Sequence, residues 1–191
     1  MKVLVTAFGP FEGRAENASS LALRALKKRL SALRTRVLPV DSVIAPSRLK
    51  QALTRIQPDV LIMLGEAAGS RTIRLETTAW NEMDFRIPDI AGRQPPVRQI
   101  CPGSPVSRPS TLPLQDLHDL LASRGHPVSL SSDPGRYLCN QVFYISAEFL
   151  ASRAGNRAAG FIHLPLAGEY TTDRAAAALE LIVKRLDPSI G

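Results

Sequence analysis

Lys2-Val-Leu-Val-Thr6 is a short run, apolar between its ends, and the turn Ala7-Phe8-Gly9-Pro10-Phe11-Glu12-Gly13 follows it at once. A continuous apolar run bounded by turn residues reads as a strand covered on both faces, as strands of a parallel sheet are. Downstream, Asn17 or Ser19 can cap a helix that places Leu21, Leu23, Ala25, Leu26 and Leu30 toward a core. Thr35 to Val40 reads as a second strand. Pro46-Ser47 then starts a helix carrying Leu49, Leu53 and Ile56, which Pro58 ends before a third strand, Val60 to Leu64. This βαβαβ opening predicts an α/β layer fold with a largely parallel sheet.

The remainder continues the alternation. Arg71 to Met83 can be extended, and Ile87 to Ser110 is a proline-rich, irregular loop. Thr111-Leu-Pro113 leads into a helix through Leu121 that ends near Gly125, and Pro127 to Leu130 is a short strand. A turn spans Ser131 to Gly135, Cys139 to Ala151 reads as a buried helix, and Gly160 to Leu164 as the last core strand. Thr172 or Asp173 caps a terminal helix with Ala176, Leu179, Ile182 and Leu186 inward. A chain of 191 residues with 45% apolar content can bury one substantial core, so residues 1–191 are expected to form a single domain.

The formal charge of +7 raises the question of an acidic partner such as nucleic acid. Arg24, Lys27, Lys28, Arg29, Arg34 and Arg36 gather around the first helix end and the next strand, without aromatics on which bases could stack. A solvated face accounts for them, and no nucleic-acid partner is expected. The N-terminus is too short for a signal peptide and no apolar stretch approaches the ~18 residues of a membrane span, so a cytoplasmic protein is expected. The two cysteines, Cys101 and Cys139, form neither a Cys-x-x-Cys pair nor a metal-ligand cluster, and both are expected as free thiols with no metal.

Gly135-Arg-Tyr-Leu-Cys-Asn140 places Cys139 after a polar turn at the start of a helix. Helix N-termini offer unpaired amides that stabilise a thiolate and an oxyanion alike. Among three histidines, His118 lies inside an amphipathic helix and His126 beside a turn proline, both read as surface positions. His163 closes the apolar run Gly160-Phe-Ile-His163 at a strand end, where α/β folds place ligands, and is the candidate base. A carboxylate should orient its ring, and Glu76, in a strand opening into a loop, is the choice. Phe8 and Phe11, three apart at the end of the first strand, can form a flat apolar slot. Gly-x-Gly-x-x-Gly and Walker sequences are absent, so no nucleotide cofactor is expected.

Over nearly its whole length the chain resembles the pyroglutamyl peptidase I family of cysteine peptidases. The anchors are Phe8-Gly-Pro-Phe11 with Gly13 and Asn17, Gly65-x-Ala-x-Gly69, Glu76 with Ala79 and Asn81, and Asp84-x-Arg-Ile-Pro-Asp89. Ser110-Thr-Leu-Pro113, Tyr137-Leu-Cys-Asn140 and Gly160-Phe-Ile-His163 with Pro165 complete them. The resemblance implies a three-layer α/β/α sandwich of the phosphorylase/hydrolase-like type, with a mixed, mostly parallel sheet. It implies a triad at Cys139, His163 and Glu76, an oxyanion-stabilising Arg86, and a ring pocket of Phe8, Phe11 and Asn17. The implied reaction is hydrolytic removal of N-terminal pyroglutamate (5-oxoproline) from peptides through a thioester, without a cofactor.

The chain departs from the family pattern at Ser70 and Thr77, where arginine is usual, at Glu66, usually neutral, and at Asp133-Pro134-Gly135. Its segment after His163 is shorter than in many relatives, in which a longer loop helps shape the assembly. A homo-oligomer is therefore compatible with the resemblance. Two other functions stay open on sequence: a divergent thiol hydrolase of the same fold acting on another acyl or cyclic amide, and a non-catalytic basic nucleic-acid binder supported by charge alone.

Overall fold

The structure is a computed structural model that describes residues 1–153 and 157–190. Its strands are β1 (Val3–Phe8), β2 (Arg34–Leu38), β3 (Val60–Glu66), β4 (Ile73–Glu76), β5 (Thr78–Trp80), β6 (Ser107–Pro109), β7 (Val128–Ser131) and β8 (Ala158–Leu164). Its helices are α1 (Ala18–Arg29), α2 (Ile44–Ile56), α3 (Leu114–Ser123), α4 (Leu138–Ala151) and α5 (Thr172–Leu186). Among the described residues six strands form one sheet in the order β2-β1-β3-β8-β4-β7, and β5 pairs with β6 as a separate ribbon. Every neighbouring pair in the large sheet is parallel except β4 with β8. The expected mixed, mostly parallel α/β/α sandwich is what the chain forms.

Side-chain alternation assigns each strand residue to one of two cores. Val3, Val5, Ile62, Leu64, Ile162 and Leu164 pack beneath α1, α3 and α5, while Leu4, Leu61, Met63 and Phe161 pack beneath α2 and α4. The helix starts follow local chemistry. Asn17 Oδ1 accepts from Ser19 N at 3.0 Å and caps α1, whose last turn carries Lys27, Lys28 and Arg29 against the helix dipole. Asp41 accepts from the amides of Val43 and Ile44, so α2 begins before the Pro46-Ser47 start read from sequence. Thr171 caps α5, one residue before the expected pair. No helix among the described residues is long and apolar enough to cross a membrane.

The proline-rich segment is irregular up to β6, which lies near its end, and is tightly held. Asn81 Nδ2 donates to the carbonyls of Cys101 and Ser104, Gln94 Nε2 donates to Phe85 O, and Tyr144 Oη to Pro105 O. At its start, the Asp89 carboxylate accepts from Ser42 N, Ser42 Oγ, Ala91 N and Arg93 N. Burial alone would raise this carboxyl, but the bonds from Ser42, Arg93 and Ala91 win and hold it at about 2, well below the usual aspartate range. A depressed folded value contributes stability above the unfolded pKa and loses it as pH falls through the folded one, here about 2 kcal/mol lost between about pH 4 and pH 2. Urea unfolding across that window should show the loss in wild type, and Asp89→Asn should lower the midpoint already at pH 7. An unchanged midpoint at pH 7 would refute this account of the loop.

Candidate active site

The turn ahead of α4 ends at Gly135, whose φ of +76° suits glycine, and Tyr137 then enters the helix in an extended conformation without a side-chain cap. Among the described residues the amides of Leu138, Cys139 and Asn140 bond no protein acceptor, unlike the capped first turns of α1, α2 and α5. Cys139 therefore sits on three free, roughly parallel N–H groups, the anion-binding feature of a helix start. Its sulfur lies over β3: a Cβ built on Gly65 would stand 2.9 Å from Cys139 Sγ. Gly65 is in turn the register partner of His163 on β8. The nucleophile candidate thus hangs above the sheet beside the base candidate.

Glu76 comes to His163 through the one antiparallel pairing. Arg74 lies opposite His163, and Glu76 opposite Phe161, so all four side chains share a face. Nδ1 of His163 is 2.8 Å from Glu76 Oε1, and both side chains are buried. Glu76 is 0% exposed, so its carboxylate faces the ring from within the fold. That contact puts the ring proton on Nδ1 and leaves Nε2 as the acceptor side. Cys139 and His163 line one cleft of about 580 Å³ with Phe11, Arg86 and Tyr137. They form no hydrogen bond in this structure, and sites without substrate commonly leave such a bond unmade.

The electrostatics oppose a resting thiolate. Desolvation first, then the carboxylates of Glu76 and Glu66, push the Cys139 thiol up to about 12, while its own backbone N–H acts the other way. Cys139 therefore rests as a protonated thiol, and a thiolate forms only where a neighbouring group takes its proton. Both carboxylates disfavour the thiolate, so the free α4 amides are what the sulfur anion has in its favour.

A smaller cavity of about 80 Å³ adjoins the sulfur and is lined by Phe8, Phe11, Asn17, Glu66, Tyr137 and Cys139, among others. Phe8 is buried and Phe11 half-buried, and Tyr137 packs between Phe11 and Phe85 with ring centroids 5.5 and 4.4 Å away. Asn17 spends its oxygen on the α1 cap, so its amide nitrogen is the group it has left for a ligand. Glu66 is held by Arg14 at 2.7 Å and by Ala18 N at 2.8 Å, which keeps a charged side chain in a wall that is apolar apart from Arg14, Asn17 and the Cys139 thiol.

Family comparison decides what this geometry belongs to. The model of the family described as pyroglutamyl peptidase matches residues 1–190. This chain belongs to the pyroglutamyl peptidase family. It is 37% identical over 176 residues to a pyrrolidone-carboxylate peptidase of Clavibacter michiganensis, covering 91% of this chain and 80% of that one. With the pyrrolidone-carboxylate peptidase of Pyrococcus furiosus it shares 38% identity over 177 residues, 91% of this chain and 85% of the relative. A solved mutant pyrrolidone carboxyl peptidase from the same archaeon superposes with a TM-score of 0.89 at 33% identity, covering 96% and 97% of the two chains. The crystal structure of Bacillus amyloliquefaciens pyroglutamyl peptidase I gives 0.87 at 29%, covering 95% and 94%.

Within this pyroglutamyl peptidase fold, three site residues escaped the reading of roles from sequence. Tyr137 walls both cavities, a role hidden because aromatic content alone does not say which ring faces a ligand. Asn140, fully buried, bonds Trp80 N, Trp80 O and Glu82 O and so ties the α4 start to β5, which its place directly after Cys139 could have signalled. Arg74 reaches Glu76 at 3.3 Å, through a register no sequence pattern announces. His118 and His126 stay out of the site and are half-buried: His118 bonds Asp119, and His126 bonds Tyr170. Cys101 and Cys139 are free thiols. Among the described residues no three His, Cys, Asp or Glu side chains gather as metal ligands would. A separate cleft of about 590 Å³ at the opposite strand ends is lined by Lys2, Lys27, Arg34, Arg36 and Arg55, and neither Cys139 nor His163 borders it.

Proposed function

We propose that the chain is a cysteine peptidase that hydrolyses the bond after an N-terminal pyroglutamate, with Cys139, His163 and Glu76 as its triad. The observation that carries this reading is the position of Cys139, which borders a small aromatic-lined cavity and the free amides of α4 at once. A peptide beginning with 5-oxoproline has no amine to be gripped by a carboxylate. Its flat lactam needs apolar faces, which Phe8 and Phe11 offer, and a few amide hydrogen bonds, which Asn17 can donate. The Glu66 charge is offset by Arg14 and by the α1 amide it accepts.

The chemistry follows from the roles. His163 Nε2 takes the Cys139 proton as Sγ attacks the pyroglutamyl carbonyl carbon, and the carbonyl π electrons move onto oxygen. The α4 amides stabilise that oxyanion, preorganised donors typically worth about 3 to 4 kcal/mol each, and the exposed Arg86 at the cleft rim adds a solvent-screened positive charge. As the carbonyl re-forms, the C–N bond breaks, and the departing nitrogen takes the proton from His163. Water then attacks the thioester, with His163 accepting its proton, and Sγ leaves to regain that proton. Throughout, Glu76 holds the ring by Nδ1 and offsets its positive charge.

A fluorogenic pyroglutamyl amide, compared with prolyl and alanyl amides under reducing conditions, tests the assignment. Turnover should be confined to the pyroglutamyl compound. Hydrolysis of the other amides with none of the pyroglutamyl one would overturn it.

A further inference from the structure

We infer that Arg74 is a positioning residue of the triad, a cation that shares the Glu76 oxygen with His163 and sets the pH range over which the thiol and imidazole exchange their proton. The inference rests on the triad proposed above. Glu76 Oε1 receives two neighbours, His163 Nδ1 at 2.8 Å and Arg74 Nε at 3.3 Å, while the buried Oε2 has no partner. The other end of the guanidinium points away from the triad. Its Nη2 donates to Ser131 Oγ at 2.6 Å and to Asp133 O at 2.5 Å, on β7 and on the turn that leads to Cys139. Arg74 therefore joins the triad carboxylate to the segment that delivers the nucleophile, and its side chain lines the same cleft as Cys139 and His163.

The remaining charges around the pair do not substitute for it. Arg14, from the first turn, is bonded to Glu66 at 2.7 Å and Glu12 at 3.2 Å. Arg136, before α4, is bonded to Glu82 at 3.0 Å and Asp133 at 2.8 Å. Asp84 and Arg86 lie exposed at the rim, where solvent screens them. Tyr137, the other ionisable group in the wall, is pushed further up by burial, which leaves it neutral. Arg74, 30% exposed, is the cation set against a carboxylate that is 0% exposed.

The sign follows from the charges. Glu76 stabilises the imidazolium and opposes the thiolate, and Arg74 offsets part of both effects. Without the Arg74 charge, the thiol is harder to deprotonate and the imidazolium harder to discharge, so both limbs of the pH profile move to higher pH. Two interacting groups titrate as one coupled pair, so the profile is read as a unit.

The test measures kcat/KM for a pyroglutamyl amide and the rate of Cys139 alkylation by iodoacetamide, each against pH, in wild type, Arg74→Gln, Arg74→Met and Arg74→Lys. The neutral variants should move the profile up by about one pH unit and slow alkylation at pH 7 about tenfold. Lysine, which keeps the charge, should restore the wild-type limbs. Neutral variants that fold with unshifted profiles overturn the inference, as does a lysine variant shifted as far as glutamine. Loss of the fold in both neutral variants also overturns it, because Arg74 then serves the scaffold alone. Wild-type protein that turns over no pyroglutamyl amide would instead count against the peptidase assignment, and alkylation would still decide the part played by Arg74.

Discussion

Cys139→Ser lowers kcat/KM for a pyroglutamyl amide by at least about 10⁴-fold while leaving the fold intact. The reason is the environment already acting on the thiol. Burial and the charges of Glu76 and Glu66 push that thiol up to about 12. An alkoxide begins from a much weaker acid and feels the same desolvation and the same two carboxylates. The same imidazole, held by Glu76 at Nδ1, would have to take its proton from that weaker acid. The exchange of sulfur for oxygen removes little volume at a half-buried position, so stability should change by about 1 kcal/mol or less. Iodoacetamide gives a second readout, because the chain has only two cysteines and labelling should fall to what Cys101 alone takes up. Burial pushes the Cys101 thiol up as well, although Lys50 works against it, so that background should be slow at neutral pH. A serine variant that kept a tenth of wild-type activity would remove Cys139 from the nucleophile's place.

How far the sequence carried this architecture depends on the kind of information each element needed. The central strands were legible because a strand covered on both faces must be apolar throughout: Val60 to Leu64 and Gly160 to Leu164 lie inside β3 and β8. β2 was read too long, because Pro39 removes a ladder donor and the strand ends at Leu38. It is also an edge strand with Arg34, Arg36 and Val37 exposed, so its apolar signal is weak. The β5–β6 ribbon within the Arg71 to Ser110 region stayed hidden, since three-residue strands carry too little periodicity to read. Helix starts were placed to within a few residues, and the misses came from remote or unexpected donors such as Asp41.

The site divides in the same way. Cys139 and His163 could be nominated from position, one at a helix start and the other at a strand end. Family resemblance apart, Glu76 could be chosen only as the best available carboxylate, because the pairing of β4 against β8 that brings it to the ring is a tertiary event. The same event brings Arg74 to the carboxylate, and nothing in Arg74-Leu-Glu76 says that the two side chains share a face with a histidine 87 residues from Glu76. Asn17 shows the reverse case. Its sequence signal as a cap was correct, and the cap consumes the oxygen that a ligand would otherwise have met.

Gly65→Ala should cost about 100-fold in kcat/KM, the second large effect this geometry predicts. The backbone at Gly65 does not lie in the left-handed region, so alanine can adopt it, and the obstacle is steric. The added methyl would meet Cys139 Sγ, Phe161 Cε1 and Phe161 Cζ, each at 2.9 Å. Phe161 cannot yield, being 0% exposed and packed against Phe143 at 6.0 Å and His163 at 4.8 Å between ring centroids. The sulfur must therefore move off the free amides of α4, and a displacement of about 1 Å is enough to cost that factor in an attack that depends on alignment. Overpacking also destabilises, by about 1 to 3 kcal/mol, so lost activity alone would not separate displacement from damage to the fold. Gly160→Ala supplies the control. On the same sheet but the opposite face, its methyl would lie 2.5 Å from Leu112 Cδ1 and 2.6 Å from Ser110 Oγ, against the core beneath α3. It should lower the melting temperature at least as much as Gly65→Ala does, yet leave kcat/KM within about threefold of wild type. Equal losses of activity in the two variants would mean that stability governs both. A fully active Gly65→Ala would mean that the sulfur is not pinned between β3 and the α4 amides, and the oxyanion role assigned to those amides would fall with it.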